Sequence, residues 1–435
     1  MQRFAKEKPL YKKNIPLLIP RAEHQISRSA INRNALKVLY RLHEAGFSAY
    51  LVGGCVRDLL LGVKPKDFDI ATDARPEEVR KLFKNCRLIG KRFRLAHILF
   101  GPEIIEVATF RTHHENAKEQ HGKMHQGMII RDNVYGTIED DAWRRDFRIN
   151  ALYYNIADFS IVDYTGGIQD IKDKVLHMIG DPMQRFHEDP VRLLRAIRFL
   201  AKLNISITEE TEEPLNRLSY LLGHVSPGRL FQEVLKFFQE GASLPTFHLL
   251  QKYKLFSQLF PETGKFLEEP ATLDLLQSAL TNTDLRIREN KNISPAFLFA
   301  VFLWHPVQKE LEESTKNGLP IYAAYEKALQ YHVKKQTEVL AIPRVMQITI
   351  RDICLLQYRL SQRRGNQPFR LLQHPRFRAG FDLLLIRAEK EVDVKELATW
   401  WTRFIESSHE EREKLLKEVE KPKKYNRRKK RKKKE

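Results

Sequence analysis

A chain of 435 residues can form roughly two to four domains with a well-buried core. Its formal net charge of +20 favours a polyanionic partner, and nucleic acid is the default. The three widely spaced cysteines show no disulfide framework or zinc-ligand spacing, and no run of about 18 apolar residues could form a transmembrane helix. Together with an N-terminus that lacks a signal-peptide core, these features predict a cytoplasmic protein.

The spacing of apolar residues changes along the chain. Residues 1–30 are basic, contain three prolines and show little periodicity, so we expect an extended, partly disordered arm. Residues 32–45 predict a helix that ends at Gly46. Short strands and helices follow to about residue 180, and from Pro190 onward the pattern is helical. The predicted class is α+β: a head with a small mixed sheet and helices at 31–180, a helical neck at 181–265, a helical body at 266–417 and a basic tail at 418–435.

A glycine pair separates a predicted strand from a predicted helix. Residues 50–52 are apolar and indicate a strand, and residues 56–61 indicate a short helix. Because glycine has no Cβ, Gly53 and Gly54 allow backbone N–H groups to approach phosphate oxygens at the helix N-terminus. Arg57, in the first turn, can add a bidentate phosphate contact. The segment therefore predicts a nucleotide-binding turn.

Two alternating aspartates open the next predicted strand, residues 68–72. Residues two apart on a strand point to the same face, so Asp67 and Asp69 can project into one site and share magnesium ions. Glu106 lies on an alternating strand, residues 103–110, and faces away from the apolar residues on either side of it. We predict that Asp67, Asp69 and Glu106 are catalytic metal ligands.

Three polar segments give weaker signals. Four histidines between residues 113 and 125 lie in a segment, 112–127, that we interpret as a mobile loop, and they lack a fixed metal-ligand spacing. Residues 91–94 form a basic patch around Phe93 that can contact triphosphate or RNA, or cover a strand edge. Residues 421–434 contain eleven Lys or Arg residues, so we expect this tail to be disordered when free and to bind RNA. The alternatives for the tail are a solubility segment and a nuclear-type signal.

The ordered motifs at 51–58 and 66–69 resemble those that open the class II nucleotidyltransferases, the family of the bacterial poly(A) polymerases and the CCA-adding enzymes. The resemblance continues at 144–152 and 188–199 and covers roughly residues 48–260. Residues 88–97 and the C-terminal region are similar to the poly(A) polymerase branch. The resemblance implies a nucleotidyltransferase catalytic head and a neck for base recognition and RNA binding.

The resemblance also implies the chemistry. A 3′-hydroxyl attacks the α-phosphate of ATP, pyrophosphate leaves, and two Mg²⁺ ions offset the developing charge. In the family, Asp146 is an essential acid and Arg145 belongs to the nucleotide pocket; the alternative for Asp146 is a structural ion pair with Arg144 or Arg145. Whether Glu106 or Asp146 is the third essential carboxylate stays open at this point.

A further set of charged residues follows in the predicted neck. On an ideal helix Asp189, Arg192 and Arg195 span an arc of about 120° and can line one wall of a cleft. The resemblance implies that this motif contacts the incoming base through paired donors and acceptors. The alternative is a solvated basic helix face.

We therefore expect a monomeric enzyme that adds AMP from ATP to RNA 3′ ends without a template, with RNA-decay or RNA-chaperone proteins as candidate partners. A CCA-adding tRNA nucleotidyltransferase would share the catalytic head, and the pocket motif does not separate ATP-only use from the use of CTP and ATP. A non-catalytic RNA-binding protein is the alternative from another class. The intact Asp67 and Asp69 argue against it.

Overall fold

The computed structural model describes residues 15–90, 94–112 and 134–420, together with the backbone of residues 124–125 and 128–129. The chain divides into two compact units, one ending at Leu221 and the other beginning at Leu222. The first unit contains a mixed sheet with helices and the second is helical, which confirms the predicted α+β class. The division between the units lies inside the segment predicted as the neck.

The strands are short, and eight of them form one sheet. They are β1 Leu17–Ile19, β2 Ala49–Val52, β3 Asp69–Thr72, β4 Cys86–Ile89, β5 Leu95–Phe100, β6 Glu103–Thr109, β7 Met124–His125, β8 Met128–Ile129, β9 Leu152–Asn155, β10 Ile161–Asp163, β11 Val175–Leu176 and β12 Ser206–Ile207. The sheet order is β1-β10-β9-β2-β3-β6-β5-β4. β3 and β6 run parallel, and the other neighbours in this sheet are antiparallel.

Helices connect and follow these strands. In the first unit they are α1 Arg33–Glu44, α2 Gly54–Leu60, α3 Pro76–Leu82, α4 Ile138–Trp143, α5 Gly167–Asp173, α6 Pro182–Glu188, α7 Val191–Leu203 and α8 Glu209–Arg217. In the second they are α9 Pro227–Phe237, α10 Ser243–Lys252, α11 Phe256–Leu259, α12 Pro261–Gly264, α13 Pro270–Arg288, α14 Pro295–Lys316, α15 Ile321–Leu340, α16 Arg344–Ser361, α17 Gln367–Leu372, α18 Phe377–Ala388, α19 Val392–Glu406 and α20 His409–Glu420. A short 3₁₀ helix, Arg148–Asn150, precedes β9.

The two faces of the main sheet carry different cores. One face buries Ile70 and Val107 with the apolar side of α1. The other buries Val52, Ala71 and Tyr153 with Phe110. Because side chains alternate along a strand, residues 69 and 106 belong to the second face, opposite α1. The parallel pairing of β3 with β6 thus determines which polar side chains meet there.

The N-terminal segment differs from the predicted arm. Residues 17–19 form β1, which pairs with β10 at the edge of the sheet and buries Ile19. A three-residue edge strand is too short to produce a recognisable alternation in the sequence, so the prediction of an extended arm is wrong for these residues. Residues 1–14 lie outside the described ranges.

Helix α1 confirms the helix predicted at residues 32–45. The side chain of Asn32 accepts hydrogen bonds from the backbone N–H groups of Asn34 and Ala35, which caps the N-terminus. Gly46 follows the C-terminus with a φ of 88°, a conformation that glycine adopts without strain.

The segment predicted as a mobile loop, residues 112–127, lies mostly outside the described residues. Within it lies β7, which pairs with β8, just after the segment, in a two-residue antiparallel ladder. The prediction of a loop is therefore wrong for residues 124–125, whose strand is too short for the alternation of apolar residues to reveal it.

The second unit packs long helices around aromatic side chains. Phe260 and Phe302 lie with ring centroids 4.7 Å apart in an edge-to-face arrangement. α14 contains the most apolar stretch of the sequence, residues 296–304, and buries most of it, as predicted. Within the described part of the chain, no helix combines the length and the apolar character that a membrane span needs.

Candidate active site

The glycine turn lies between β2 and α2, where the sequence predicted it. Gly53 has a φ of 78° and a ψ of −132°, a conformation that side-chain-bearing residues rarely adopt. A Cβ at this position would lie 3.3 Å from Nη1 of Arg145. Gly53 is thus required both by the backbone conformation and by the close approach of an arginine.

Arg57 is buried beneath this turn. Its Nε and Nη2 donate to Oδ1 of Asp58 at 2.9 and 2.6 Å, and its Nη1 donates to Oδ1 of Asn150 at 2.6 Å. The guanidinium also stacks over the ring of Phe199. Arg57 therefore links α2 to the 3₁₀ helix before β9. Three of its five N–H groups are already bound to protein, which leaves one N–H on each of Nη1 and Nη2 for the predicted phosphate contact.

Two of the three predicted metal ligands are side by side. Asp69 begins β3 and is the register partner of Glu106 on the parallel strand β6. The strand predicted at residues 68–72 begins one residue later, at Asp69, so Asp67 lies before it and strand alternation does not fix the direction of its side chain. Asp69 retains an exposed surface. Desolvation by the surrounding protein, together with the negative charges of Glu106 and Asp67, raises its pKa to about 6, and the positive charge of Arg145 opposes this rise. His97 approaches Glu106 at 3.3 Å on the opposite side from β3.

This donor set fits a hard divalent cation. Carboxylate oxygens are the ligands that Mg²⁺ prefers. Burial is the main cause of the raised pKa of Asp69, and a cation between Asp69 and Glu106 would relieve the repulsion that adds to it. Among the described residues, no three His, Cys, Asp or Glu side chains are already close enough together to form a complete metal site. For Mg²⁺ the carboxylates would supply part of a coordination shell, which substrate phosphates and water typically complete.

Asp146 forms a buried ion pair, but not with the partners considered from the sequence. Its Oδ2 lies 2.5 Å from Nε of Arg195, and its Oδ1 accepts from the backbone N–H of Phe147 at 2.9 Å. Burial alone would raise the pKa of Asp146, but the Arg195 guanidinium holds it well below the usual range. The alternative pairing with Arg144 or Arg145 is wrong, because both arginines pair with Asp141 of α4.

The set of charged residues predicted for the neck, Asp189, Arg192 and Arg195, is interrupted by a proline. α6 ends at Glu188 and α7 begins at Val191, so Asp189 is not on the same helix as Arg192 and Arg195. The predicted arc of about 120° is wrong for Asp189, because Pro190 forces the residue before it into an extended conformation, here with a φ of −147°.

Arg192 and Arg195 lie on α7, and both are held by other groups. Nη1 of Arg192 donates to the carbonyl oxygen of Arg185 at 2.6 Å and lies 3.1 Å from Glu188. Arg195 pairs with Asp146. The backbone carbonyl of Asp189 accepts from the N–H of Arg192 at 3.0 Å, which places these two residues together at the start of α7.

The sequence reasoning missed the groups that hold Arg145. Oδ2 of Asp141 lies 2.9 Å from Nη2 of Arg145, and the Tyr153 hydroxyl donates to the same carboxylate oxygen at 2.8 Å. The spacing of Asp141 and Arg145, four residues apart on a helical segment, is a signal that could have identified the pair.

Other predicted features contribute little here. Arg94 forms an exposed ion pair with Glu77 at 2.6 Å. Residues 91–93, the side chains of the four histidines between residues 113 and 125, and the tail from residue 421 lie outside the described residues.

Comparisons with known proteins show the family of the chain. Three family models match in order: "Poly A polymerase head domain" at residues 49–177, "Probable RNA and SrmB- binding site of polymerase A" at 204–267, and "Polymerase A arginine-rich C-terminus" at 317–435. Poly(A) polymerase I of Salmonella typhimurium is 49% identical over 414 residues, which cover 93% of this chain and 89% of that protein. The chain belongs to the poly(A) polymerase family. The family resemblance read from the motifs is thereby confirmed.

The relationship to CCA-adding enzymes is more distant. The CCA-adding enzyme of Bacillus subtilis is 39% identical over 225 residues, or 52% of this chain and 55% of that enzyme. A solved structure described as a tRNA-processing enzyme (apo form I) aligns with a TM-score of 0.60 over 89% of this chain and 98% of that chain. Its sequence identity is 24%, so this likeness supports the fold alone.

Proposed function

We propose that this protein adds AMP from ATP to the 3′ ends of RNA without a template and releases pyrophosphate. The observation that carries the proposal is the 49% identity to a poly(A) polymerase over nearly the whole of both chains. The adjacent carboxylates of Asp69 and Glu106 also support it, because they could hold the metal ions that such a reaction requires.

Asp67, Asp69 and Glu106 are the proposed ligands of Mg²⁺, in a site for two ions. When bound, the metal stabilises charge on the attacking and leaving oxygens of the transfer. The crowded negative charge at Asp69 supports this assignment, since an uncompensated carboxylate cluster is unfavourable without a cation. In this proposal Asp146 serves the pocket through its pair with Arg195 rather than as a metal ligand.

Gly53, Gly54 and Arg145 are the proposed contacts of the ATP triphosphate. The N–H of Gly53 donates to the carbonyl oxygen of Leu152 at 3.2 Å. A phosphate at the turn would therefore meet the N–H of Gly54, in the first turn of α2, and the guanidinium of Arg145, whose Nη1 lies close to Gly53. Arg57 supports the turn from beneath through its bonds to Asp58 and Asn150.

Asp189, Arg192 and Arg195 are the proposed base-recognition group, in the segment predicted as the neck. Asp189 and Arg192 lie together at the start of α7, where an acceptor and a donor could pair with the edge of adenine. Arg195 acts indirectly in this proposal, because its guanidinium is bound to Asp146. Asp189 is placed by the bend at Pro190 rather than by helical spacing.

RNA 3′ ends are the proposed second substrate, and candidate protein partners are RNA-decay or RNA-chaperone proteins. The net charge of +20 supports an RNA partner. We expect the protein to act as a monomer in the cytoplasm, where its three free cysteines remain thiols.

The nucleotide specificity is tested by supplying each nucleotide separately to a generic RNA and to a tRNA that lacks its 3′ end. We expect long A tracts from ATP on both RNAs and weak incorporation from CTP. Accurate addition of two C and one A, followed by termination, would instead identify a CCA-adding enzyme. RNA binding without any incorporation would identify a non-catalytic protein.

The third carboxylate is tested by titrating magnesium. Glu106→Gln removes a charge at the proposed metal site with little change in size, so half-maximal activity should require more Mg²⁺ than in the wild type. Asp146→Asn is the matched comparison, because it removes a carboxylate that is bound to Arg195. A raised magnesium requirement in Asp146→Asn and a normal one in Glu106→Gln would reverse the assignment.

A further inference from the structure

We propose that Asp141 and Tyr153 are positioning residues that hold the Arg145 guanidinium in the orientation that binds the ATP triphosphate. The inference rests on the proposed role of Arg145 in the nucleotide pocket. It adds two residues that lie outside the motifs from which that pocket was predicted.

The position of Asp141 is fixed by its own helix and by burial. It lies on α4, whose N-terminus is capped by Thr137 and Asp140 in a reciprocal pair of hydrogen bonds. Its carboxylate is buried, with 4% of the residue exposed. Oδ2 accepts from Nε and Nη2 of Arg145 at 3.2 and 2.9 Å, so one whole edge of the guanidinium faces a single carboxylate oxygen.

Tyr153 completes this arrangement from the neighbouring strand β9. Its hydroxyl donates to Oδ2 of Asp141 at 2.8 Å and accepts from Nε of Arg145 at 3.0 Å. Burial raises the pKa of Tyr153 well above its ordinary value, so the hydroxyl keeps the proton that it donates. The ring lies beneath the guanidinium, 5.4 Å from its central carbon, and is held by an edge-to-face contact with Tyr50.

The charges of this triad are fixed in the folded protein. Burial alone would favour the neutral acid, but Arg145, Arg144 and the Tyr153 hydrogen bond hold the pKa of Asp141 below its usual range. Asp141 therefore stays ionised and Arg145 stays paired with it. Because the planar guanidinium is held along Nε and Nη2, the direction of Nη1 is fixed as well.

The other edge of Arg145 is directed toward the proposed nucleotide site. Nη1 lies 3.5 Å from the carbonyl oxygen of Asn150 and 3.3 Å from the position of a Cβ at Gly53. One edge of the guanidinium is thus bound to Asp141 and Tyr153, and on the other edge Nη1 donates to the Asn150 carbonyl and borders the glycine turn.

The test is a double-mutant cycle on ATP affinity. Tyr153→Phe and Asp141→Asn are each made alone and in combination with Arg145→Gln, and the dissociation constants for ATP and AMP are measured by calorimetry. Each single substitution should raise the dissociation constant for ATP by about tenfold or more, as expected for the loss of a charge-assisted contact. AMP, which lacks the β- and γ-phosphates, should be weakened much less. In the Arg145→Gln background, neither substitution should weaken ATP further.

Tyr154→Phe is the matched control. It removes a hydroxyl from the adjacent buried tyrosine, whose side chain belongs to the core on the opposite face of the sheet. ATP affinity should be unchanged in this variant. Tyr153→Phe keeps the test decisive if Asp141→Asn does not fold, because it removes one oxygen and leaves the Asp141–Arg145 pair in place.

The failures of the two proposals are distinguishable. An unchanged ATP affinity in Arg145→Gln would contradict the proposed triphosphate role of Arg145. A weakened affinity in Arg145→Gln, with wild-type affinity in folded Tyr153→Phe and Asp141→Asn, would overturn the positioning role and leave the proposed function intact. If the substitutions weakened ATP and AMP binding equally, Asp141 and Tyr153 would have a merely structural role. The same conclusion would follow if they weakened ATP binding as much in the Arg145→Gln background as in the wild type.

Discussion

Replacing Asp69 with Asn should abolish activity and at the same time stabilise the metal-free protein. The pKa of Asp69 is raised from 3.8 to about 6, so the folded metal-free protein binds this proton more tightly than the unfolded chain does. Stability therefore increases as the pH falls through about 6 toward about 4, and above that window the ionised carboxylate is unfavourable. Asparagine removes that charge at every pH.

The expected gain in the free energy of unfolding of Asp69→Asn follows from the size of the pKa change. A tenfold change in proton affinity corresponds to about 1.4 kcal/mol, so the change from 3.8 to about 6 has an upper bound of roughly 3 kcal/mol. Asp69 retains an exposed surface, and solvent screening reduces the expected gain to about 1 kcal/mol. In a unit the size of the first one, 1 kcal/mol raises the Tm by about 2–4 °C.

The assay is thermal unfolding at neutral pH, first with a chelator and then across a magnesium series. The wild-type Tm should rise with Mg²⁺, because a ligand that binds only the folded state stabilises it. Asp69→Asn should begin at a higher Tm and respond little to Mg²⁺. The control is Asp73→Asn, which removes a nearby carboxylate that accepts from the backbone N–H of Ser48 at 2.8 Å. It should keep the magnesium response. A lower Tm for Asp69→Asn in chelator, or a wild-type response to Mg²⁺, would refute the reasoning.

Three further predictions follow from the same site and from the tail. Gly53→Ala should lower kcat by about 100-fold, because a Cβ displaces Arg145. Gly62→Ala, at a φ of 71° with open space around it, should keep the wild-type kcat, and equal kcat values for the two variants would contradict this reasoning. Asp146→Asn should lower the free energy of unfolding in urea by about 3 kcal/mol, because it removes the buried negative charge that pairs with Arg195, and a loss under about 1 kcal/mol would argue against the pair. Deleting residues 421–435, which carry a net charge of +10, should weaken RNA binding and reduce the log–log salt slope by about 0.7 per lost phosphate contact, while the rate at saturating RNA survives. Identical slopes for both proteins would assign the tail to another role.

The sequence predicted the elements whose patterns are local. The strand at residues 103–110 was correctly placed because apolar residues alternate along it, and β6 buries the predicted face with Ile105 and Val107. α1 was placed by its periodicity together with the glycine after it. The fold class followed from the change between these two periodicities along the chain.

The pairings within the site could not be predicted in the same way. The sequence proposed Asp69 and Glu106 for one metal site, but their neighbouring positions depend on the parallel pairing of β3 with β6, which no local pattern encodes. The partner of Asp146 is Arg195 on a distant helix, and not an adjacent arginine. The position of Asp189 departed from helical spacing because Pro190 ends the regular backbone, a signal that the sequence did contain.

The most direct test of the catalytic assignment is the incorporation of labelled AMP into RNA by Asp67→Ala and Asp69→Ala. Each substitution should lower the rate by several orders of magnitude, because metal positioning supplies most of the catalysis. The circular dichroism spectrum and the affinity for RNA should match those of the wild type. Near-wild-type incorporation in either variant would contradict the assignment of the catalytic site to these carboxylates.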